Sequence, residues 1–458
     1  MKNDNSPFAG ARLDRLPTSK FHWKIFAIVG FALLTCWSNA IGGLVLAQLK
    51  VIGWTNNSQT ALFTSLSTAG MFFGALIGGS IGDKYGRKKT FLLFEVMHII
   101  TMLVAAVSPN MNFLMVVRFF MGLALGALLT ILFASFTEYM PSRSRGTWSS
   151  RISFVGNWSY PICSLIAMLL TEIVAPEMNW RLQFVIPALL STFISLIAWK
   201  AFPESPRWLE SKGRYADAEK VLTNIENEVS KETNSVLPEI HKDKTEKNEE
   251  EKQNISYTEF FKGNLLKRVI LGSFALIAMN VTQYTLINWL PTMFLAQGID
   301  LKKSVFLNTM NMFGAPVGIF IATLIMDKIP RKVMGIGLLS FMAVLGYIYS
   351  FQRSMLMISI LGFFLMISVY MFVCYASAVY VPEIWPTYAK LRGSGLCNAI
   401  GRISGIIVPF IVAKLLDSVG ITGVFILLGI TCLITAIIIG IFGIETRGKS
   451  VEEIGSIK

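Results

Sequence analysis

Glu95, His98, Arg118 and Arg402 are ionisable side chains set inside long apolar stretches. A charge within a membrane span costs roughly 2.5–3.5 kcal/mol on insertion scales, so each of them asks for a partner or a purpose. Arg402 has Asn398 one turn before it and glycines at 401 and 405, which leaves that face uncrowded. A guanidinium fork facing a cavity suits a carboxylate, which it holds through two parallel hydrogen bonds. Arg402 is therefore expected to recognise an anionic solute; the alternative is a structural pairing with a buried acid or with helix-end carbonyls. Glu95 is a proton-coupling candidate, because a carboxyl in apolar surroundings can load and release a proton near neutral pH. Glu138 is a second, although its place beside Arg143 and Arg145 at the end of a span suits gating better. Arg118 is open to gating, coupling or packing.

Three further stretches pair polar groups with aromatic plates. Asn280, Tyr284 and Asn288 recur at i, i+4 and i+8, hence on one helical face, with Gln283 and Trp289 beside them. Tyr370, Cys374 and Ser377 form another face with Tyr375 adjacent, and Asn157, Trp158 and Tyr160 a third. Such a set suits a small, flat, partly polar solute. Taken singly, each residue is explained as well by interhelical packing and hydrogen bonding. Covalent chemistry has no support. His22, His98 and His241 are far apart, and no Gly-rich phosphate loop points to ATP. The five cysteines sit at irregular spacing in apolar runs, which argues against disulfides and a metal site. The chain is not expected to be an enzyme, and no cofactor or metal is expected.

The elements that must position these residues are membrane helices. Of 458 residues, 53 % are hydrophobic and only 15 % charged, with mean hydropathy +0.57. A soluble domain carries about 25 % charged residues. At about 20 apolar residues per span, spans are expected near 24–48, 59–80, 89–107, 111–135, 149–172 and 183–201. A second set of six falls near 267–291, 304–326, 333–351, 354–380, 395–415 and 421–443. The net charge of +13 does not imply nucleic acid, because the cations cluster in short links between apolar runs, as orientation signals do. Links assigned outside hold only Lys50, Arg181, Lys302, Lys303, Arg353 and Lys414. Both termini, the tails 1–23 and 444–458, are then cytoplasmic. The first 20 or so residues lack the features of a signal peptide. A cytoplasmic linker, 202–266, separates the bundles 24–201 and 267–443. Tyr215, Ala218, Leu222, Ile225 and Val229 predict a short amphipathic helix in it. The stretch 231–253, dense in Lys, Glu and Asn, reads as a disordered tether.

The chain repeats itself. Asp83, Lys84, Arg87 and Lys88 return as Asp327, Lys328, Arg331 and Lys332, each 244 residues later. Glu138-x-x-Pro141 returns 245 residues on as Glu383-x-x-Pro386, and the Arg145-Gly146 that follows the first is answered by Arg392-Gly393 after the second. Two unrelated motifs sharing one offset indicate an internal duplication, and duplicated six-helix halves commonly place a solute site at their interface.

These residues resemble the major facilitator superfamily. Gly79-x-x-x-Asp83-x-x-Gly86-Arg87-Lys88 looks like its signature link between helices 2 and 3, and Arg118-x-x-x-Gly122-x-x-x-Gly126 like its helix-4 motif. Pro203-Glu-Ser-Pro-Arg-Trp-Leu209 and Glu445-Thr-Arg-Gly-Lys-Ser-Val-Glu-Glu453 resemble the two post-bundle motifs of the sugar-porter branch. Trp289-Leu290-Pro291, with Gly401-Arg402 and Pro409, looks more like relatives that carry niacin, aromatic acids and organic ions. The resemblance implies an arginine at the place of Arg402 in organic-anion transporters and an acid there in organic-cation relatives. It also implies a gate at the cytoplasmic ends: Asp83, Gly86, Arg87, Glu138 and Arg145 in the first half, Asp327, Arg331, Glu383 and Arg392 in the second. Such pairs would hold the inside closed while the outside is open. Three departures stand out. Asn39 occupies the helix-1 region where aromatic-acid symporters carry aspartates. Lys390 stands where relatives place Arg, with Arg392 two positions later. Pro330 replaces a glycine of the second copy.

The expectation is an all-α, twelve-span transporter of the plasma or bacterial inner membrane. It imports a small organic anion of the niacin or benzoate type with protons, by alternating access, and works as a monomer in the bilayer. The rival solutes are a sugar, an organic cation or an exported drug; a non-transporting sensor on the same fold is more remote.

Overall fold

The computed structural model describes residues 8–36, 40–233, 237–238, 256–386 and 389–447. Among them are eleven helical stretches long and apolar enough to cross a membrane. The remaining span is made of two shorter helices. In chain order the helices are α1 (Ala9–Asp14), α2 (Lys20–Thr35), α3 (Gly42–Val51), α4 (Asn57–Tyr85), α5 (Arg87–Ala106), α6 (Met111–Tyr139), α7 (Arg145–Asn157), α8 (Ser159–Ile173) and α9 (Pro176–Ala201). There follow α10 (Pro206–Ser211), α11 (Tyr215–Thr233), α12 (Gly263–Ala296), α13 (Leu301–Met312), α14 (Gly314–Ile325), α15 (Arg331–Ser350) and α16 (Met355–Val373). The set closes with α17 (Val381–Glu383), α18 (Lys390–Ser418) and α19 (Ile421–Phe442).

Several spans are longer than their apolar runs. The helix continues into polar residues at both ends, and side-chain caps decide where it begins. Asn56 accepts from the backbone N–H of Gln59, Asn110 from that of Phe113 (both 2.9 Å) and Asp300 from that of Lys303 (3.0 Å). Each satisfies an orphan donor of a first turn. The first span breaks after Thr35 and resumes at Gly42. The fifth breaks at Trp158 and the eighth at Phe313, three residues before Pro161 and Pro316, whose rings cannot supply the usual N–H. A π-helical turn, Cys374–Tyr380, interrupts the tenth.

Close approach inside the first bundle depends on small residues. A Cβ at Gly122 or Gly126 of α6 would strike the carbonyl of Ser67 or Met71 on α4, the close-contact use of glycine in membrane helices. At the end of the bundles that carries the linker, α11 buries Ala218, Leu222, Ile225 and Val229. It runs to Thr233, so residues 231–233, expected in the tether, are helical; most of the remaining tether lies outside the described residues.

Candidate functional site

A cavity of about 230 Å³ lies between the two bundles. The first bundle supplies Leu33 and Cys36 from the end of α2, Met71 from α4, Leu125, Leu129 and Phe133 from α6, and Ser153, Gly156, Asn157, Ser159 and Tyr160 around the α7–α8 break. The second supplies Gln283 and Tyr284 of α12 and Arg402 of α18. The cavity is two-faced: an apolar wall of leucines, methionine and phenylalanine meets a polar wall that holds its only cation. Arg402 Nη1 is buried with no hydrogen-bond partner, and no acid lies within ion-pair distance of Arg402 among the described residues. Asn157 donates its amide to the Ser153 carbonyl (2.8 Å), which leaves its oxygen for other donors.

Other residues expected here stand elsewhere. Asn280, Asn288 and Trp289 line a nearly closed cleft with Thr64, Thr68 and Gly405, where α12 is pressed against α4 and α18. Asn280 and Asn288 donate to the carbonyls of Leu276 (2.8 Å) and Tyr284 (3.0 Å), and Trp289 is fully buried. They share a face as the spacing predicts, but only Tyr284 borders both spaces. Tyr370 sits one layer behind the cavity wall, its ring 5.4 Å from that of Tyr160. Tyr375 stacks on Tyr380 at 5.0 Å, turned away by the π-helical turn, which rotates the side chains that follow. Trp158 faces outward between Phe154 and Phe313. Asn398 is exposed and donates to the Ser394 carbonyl at 2.9 Å. Asn39 lies outside the described residues. Glu95 and His98 are fully buried within the first bundle, and Arg118 is 1 % exposed, over the Phe63 ring at 4.9 Å.

The duplicated motifs build two matching ion-pair networks at the linker end. Arg87 meets Glu138 at 2.9 Å and Asp83 at 2.8 Å; Arg331 meets Glu383 and Asp327, both at 3.0 Å. Gly86, with φ of +101°, makes the turn into α5. The first acid of each post-bundle motif completes the network. Glu204 accepts from the backbone N–H groups of Arg87 (2.6 Å) and Lys88 (3.1 Å), and Glu445 from those of Arg331 (2.9 Å) and Lys332 (3.1 Å). Each carboxylate thus caps the positive end of a helix. Burial pushes the Glu445 carboxyl up, but these backbone donors outweigh it and hold it below the usual range.

Of the other residues expected at the gate, Arg145 reaches Asp14 at 3.5 Å and donates to the Met140 carbonyl at 3.4 Å. Arg392 stands over the Tyr257 ring at 5.9 Å. Among the described residues, the acids that Arg87 and Arg331 meet each belong to the bundle of their arginine. Among the described residues, the polar bridges that cross lie toward the far end, at positions that carry no motif. Asn57 donates to Asp417 (2.5 Å), Ser65 to the Ile406 carbonyl (2.7 Å), Asn308 and Thr309 to Ser164 (3.2 and 3.1 Å), and Lys302 pairs with Glu172 (2.8 Å).

Two pseudo-repeated helical bundles meet around a small cavity, and the family and relatives they match are transporters. The chain belongs to the sugar (and other) transporter family of the major facilitator superfamily, whose model matches residues 21–457. It is 63 % identical to YdjK of Escherichia coli (strain K12), described as a metabolite transport protein, over 99 % of this chain and 98 % of the relative. It is 44 % identical to the inner membrane metabolite transport protein YdjE of the same organism, over 98 % of each chain. The niacin transporter NiaP of Acinetobacter baylyi is 25 % identical over 97 % of this chain and 99 % of its own. The fold matches the xylose transporter XylE from E. coli, in a partially occluded inward open conformation, with TM-score 0.73 at 16 % identity, covering 94 % of this chain and 100 % of that one.

Proposed function

We propose that this metabolite transporter carries a small organic anion, a flat aromatic or heteroaromatic monocarboxylate, into the cell together with protons. The observation that carries this reading is Arg402, a cation without an acidic partner on the polar wall of a cavity whose opposite wall is apolar. A carboxylate satisfies the guanidinium, and charge-assisted hydrogen bonds contribute roughly 1.5–3 kcal/mol each. A ring fits against Met71, Leu125, Leu129 and Phe133. The volume of about 230 Å³ is below the roughly 300–1,000 Å³ of sites for drug-sized ligands, which suits a single ring. The distant niacin transporter supports the same class.

The K/R distribution supports an orientation with both termini and the linker on the cytoplasmic side of a bacterial inner membrane. In that orientation the crossing bridges at the far end close the periplasmic side. The solute site then faces the cytoplasm, and rocking of the bundles about it exposes it alternately. Proton coupling and a monomeric working unit belong to this reading.

A sugar is the second reading, favoured by Gln283, Asn157, Tyr160 and Tyr284 at the cavity and by the fold of a xylose transporter. Uptake of labelled nicotinate, benzoate and glucose into proteoliposomes, with and without a pH gradient, separates the two. Gradient-dependent uptake of an aromatic acid supports the anion. Saturable glucose uptake that survives Arg402→Ala overturns it.

A further inference from the structure

The solute cavity leaves unused a line of ionisable groups inside the first bundle. Glu95 and His98 lie three apart on α5, hence on one face, and both are fully buried. Neither Glu95 carboxyl oxygen makes a hydrogen bond of normal geometry, and the Ser191 hydroxyl of α9 is a loosely placed neighbour. On one side Glu95 is within electrostatic reach of Cys36, which lines the solute cavity. On the other, His98 is within reach of Arg118 on α6. Arg118 in turn reaches the sealed far-end seam: a Cβ at Gly42 would lie 3.2 Å from its Nη2 and 2.5 Å from Asn288 Oδ1. Cys36 at the cavity wall and the buried Glu95, His98, Arg118 and Asn288 therefore form a polar row from the open cavity to the closed seam.

We infer that Glu95 is the proton-carrying site of this transporter, and that His98 and Arg118 connect it to the side sealed in this conformation. This inference rests on proton-coupled transport as the function. The ligand is one proton. Water on the far side delivers it to the Glu95 carboxylate, forming one O–H bond, and the neutral acid returns it to cavity water past Cys36, breaking that bond. Glu138 is unsuited to the task, because Arg87 holds it at 2.9 Å. Among the described residues, Cys36 at the end of α2 and Arg118 of α6 are the titratable groups brought within electrostatic reach of Glu95 and His98. Asp83 of α4, Glu138 of α6 and Lys200 of α9 lie at the linker end, and Arg181 of α9 at the far end, where it donates to the Ala106 carbonyl. A purely structural carboxyl would be expected to make several well-formed hydrogen bonds when buried; Glu95, fully buried with one loosely placed hydroxyl beside it, is placed to change its protonation.

Two measurements test this. Infrared difference spectra of the purified protein between acid and alkaline buffer report a protonated buried carboxyl without any solute. The carbonyl band of such a carboxyl is expected in the wild type, falling as pH rises, and absent in Glu95→Gln. The same band persisting in Glu95→Gln overturns the inference. If that variant does not fold, Glu95→Asp is expected to move the band's midpoint, and an unmoved midpoint overturns the inference. In proteoliposomes, one coupled proton sustains about tenfold accumulation per pH unit of gradient. For labelled nicotinate, the ratio of gradient-driven accumulation to counterflow is expected to drop by about that factor in Glu95→Gln, and an unchanged ratio overturns the assignment. If the wild type does not take up nicotinate, the anionic reading of the solute fails, and the infrared band alone decides the proton site.

Discussion

Lys302 of the second bundle meets Glu172 of the first at 2.8 Å, one of the polar bridges that fasten the bundles at the end away from the linker. Both side chains are more than half exposed, 56 % and 58 %, so the pair contributes only about 0.2–1 kcal/mol. In a two-state cycle that is enough to tilt a population without locking it. Glu172→Ala is expected to shift the protein toward the conformation with its far end open by at most about fivefold. Spin-label distances across the α8–α13 seam measure this shift, and the double variant with Asp417→Ala is expected to enlarge it.

The seam itself closes through a glycine. A Cβ at Gly43 of α3 would strike the Ile287 carbonyl and lie 2.9 Å from that of Asn288. Both contacts are backbone of α12 and cannot move aside. Gly43→Leu is expected to hold the far end open, with uptake reduced more than about tenfold and solute binding from the far side retained. Transport assays alongside binding to the purified variant check this.

The linker-end networks separate structural acids from expendable ones. Glu138 is 18 % exposed and Glu383 33 %, whereas Asp83 and Asp327 are 75 % and 89 % exposed. Removing Glu138 leaves the largely buried Arg87 with only the exposed Asp83 and the Gly82 carbonyl as partners, at a cost of roughly 1–3 kcal/mol. Asp83→Asn is expected to cost less than about 1 kcal/mol. Melting curves of Glu138→Gln and Asp83→Asn are expected to fall in that order, and equal losses would contradict the network.

The amino-terminal helix α1 is tied to the linker helix α11 by Arg12 and Arg15, both 2.7 Å from Glu226. Burial pushes the Glu226 carboxyl up, but hydrogen bonds and charge from the two arginines outweigh it and hold it below its ordinary range. A depressed carboxyl stabilises the fold above the unfolded value of about 4.3 and loses that contribution as pH falls through its folded value. Hydrogen exchange in α1 and α11 is therefore expected to be slow near neutral pH and to quicken only below pH of about 4. Glu226→Gln is expected to show the faster exchange already at neutral pH.

Much of this was legible in the sequence because membrane helices announce themselves by apolar length and duplicated motifs by a shared offset. Arg402 was legible for the same reason: a lone cation in an apolar run has few explanations, and the cavity places it on the wall. The apolar wall of Met71, Leu125, Leu129 and Phe133 was not, since an apolar residue facing lipid and one facing a cavity look alike in sequence. The spacing of Gly122 and Gly126, which turns α6 against α4, was the one available clue. Asn280, Asn288 and Trp289 share the face their spacing predicts, yet they line the cleft and not the cavity, because periodicity fixes an angle around the axis and says nothing of where the bundles touch. The far-end bridges were invisible, because each joins two ordinary polar residues hundreds of positions apart.

Equilibrium binding of labelled nicotinate to the purified protein, compared between wild type and Arg402→Ala, tests the anion-recognising role of Arg402 most directly. Losing charge-assisted hydrogen bonds of roughly 1.5–3 kcal/mol is expected to weaken binding about 10- to 100-fold, with Arg402→Lys intermediate and glucose not competing. Equal affinity in wild type and Arg402→Ala, or displacement of nicotinate by glucose, would contradict it.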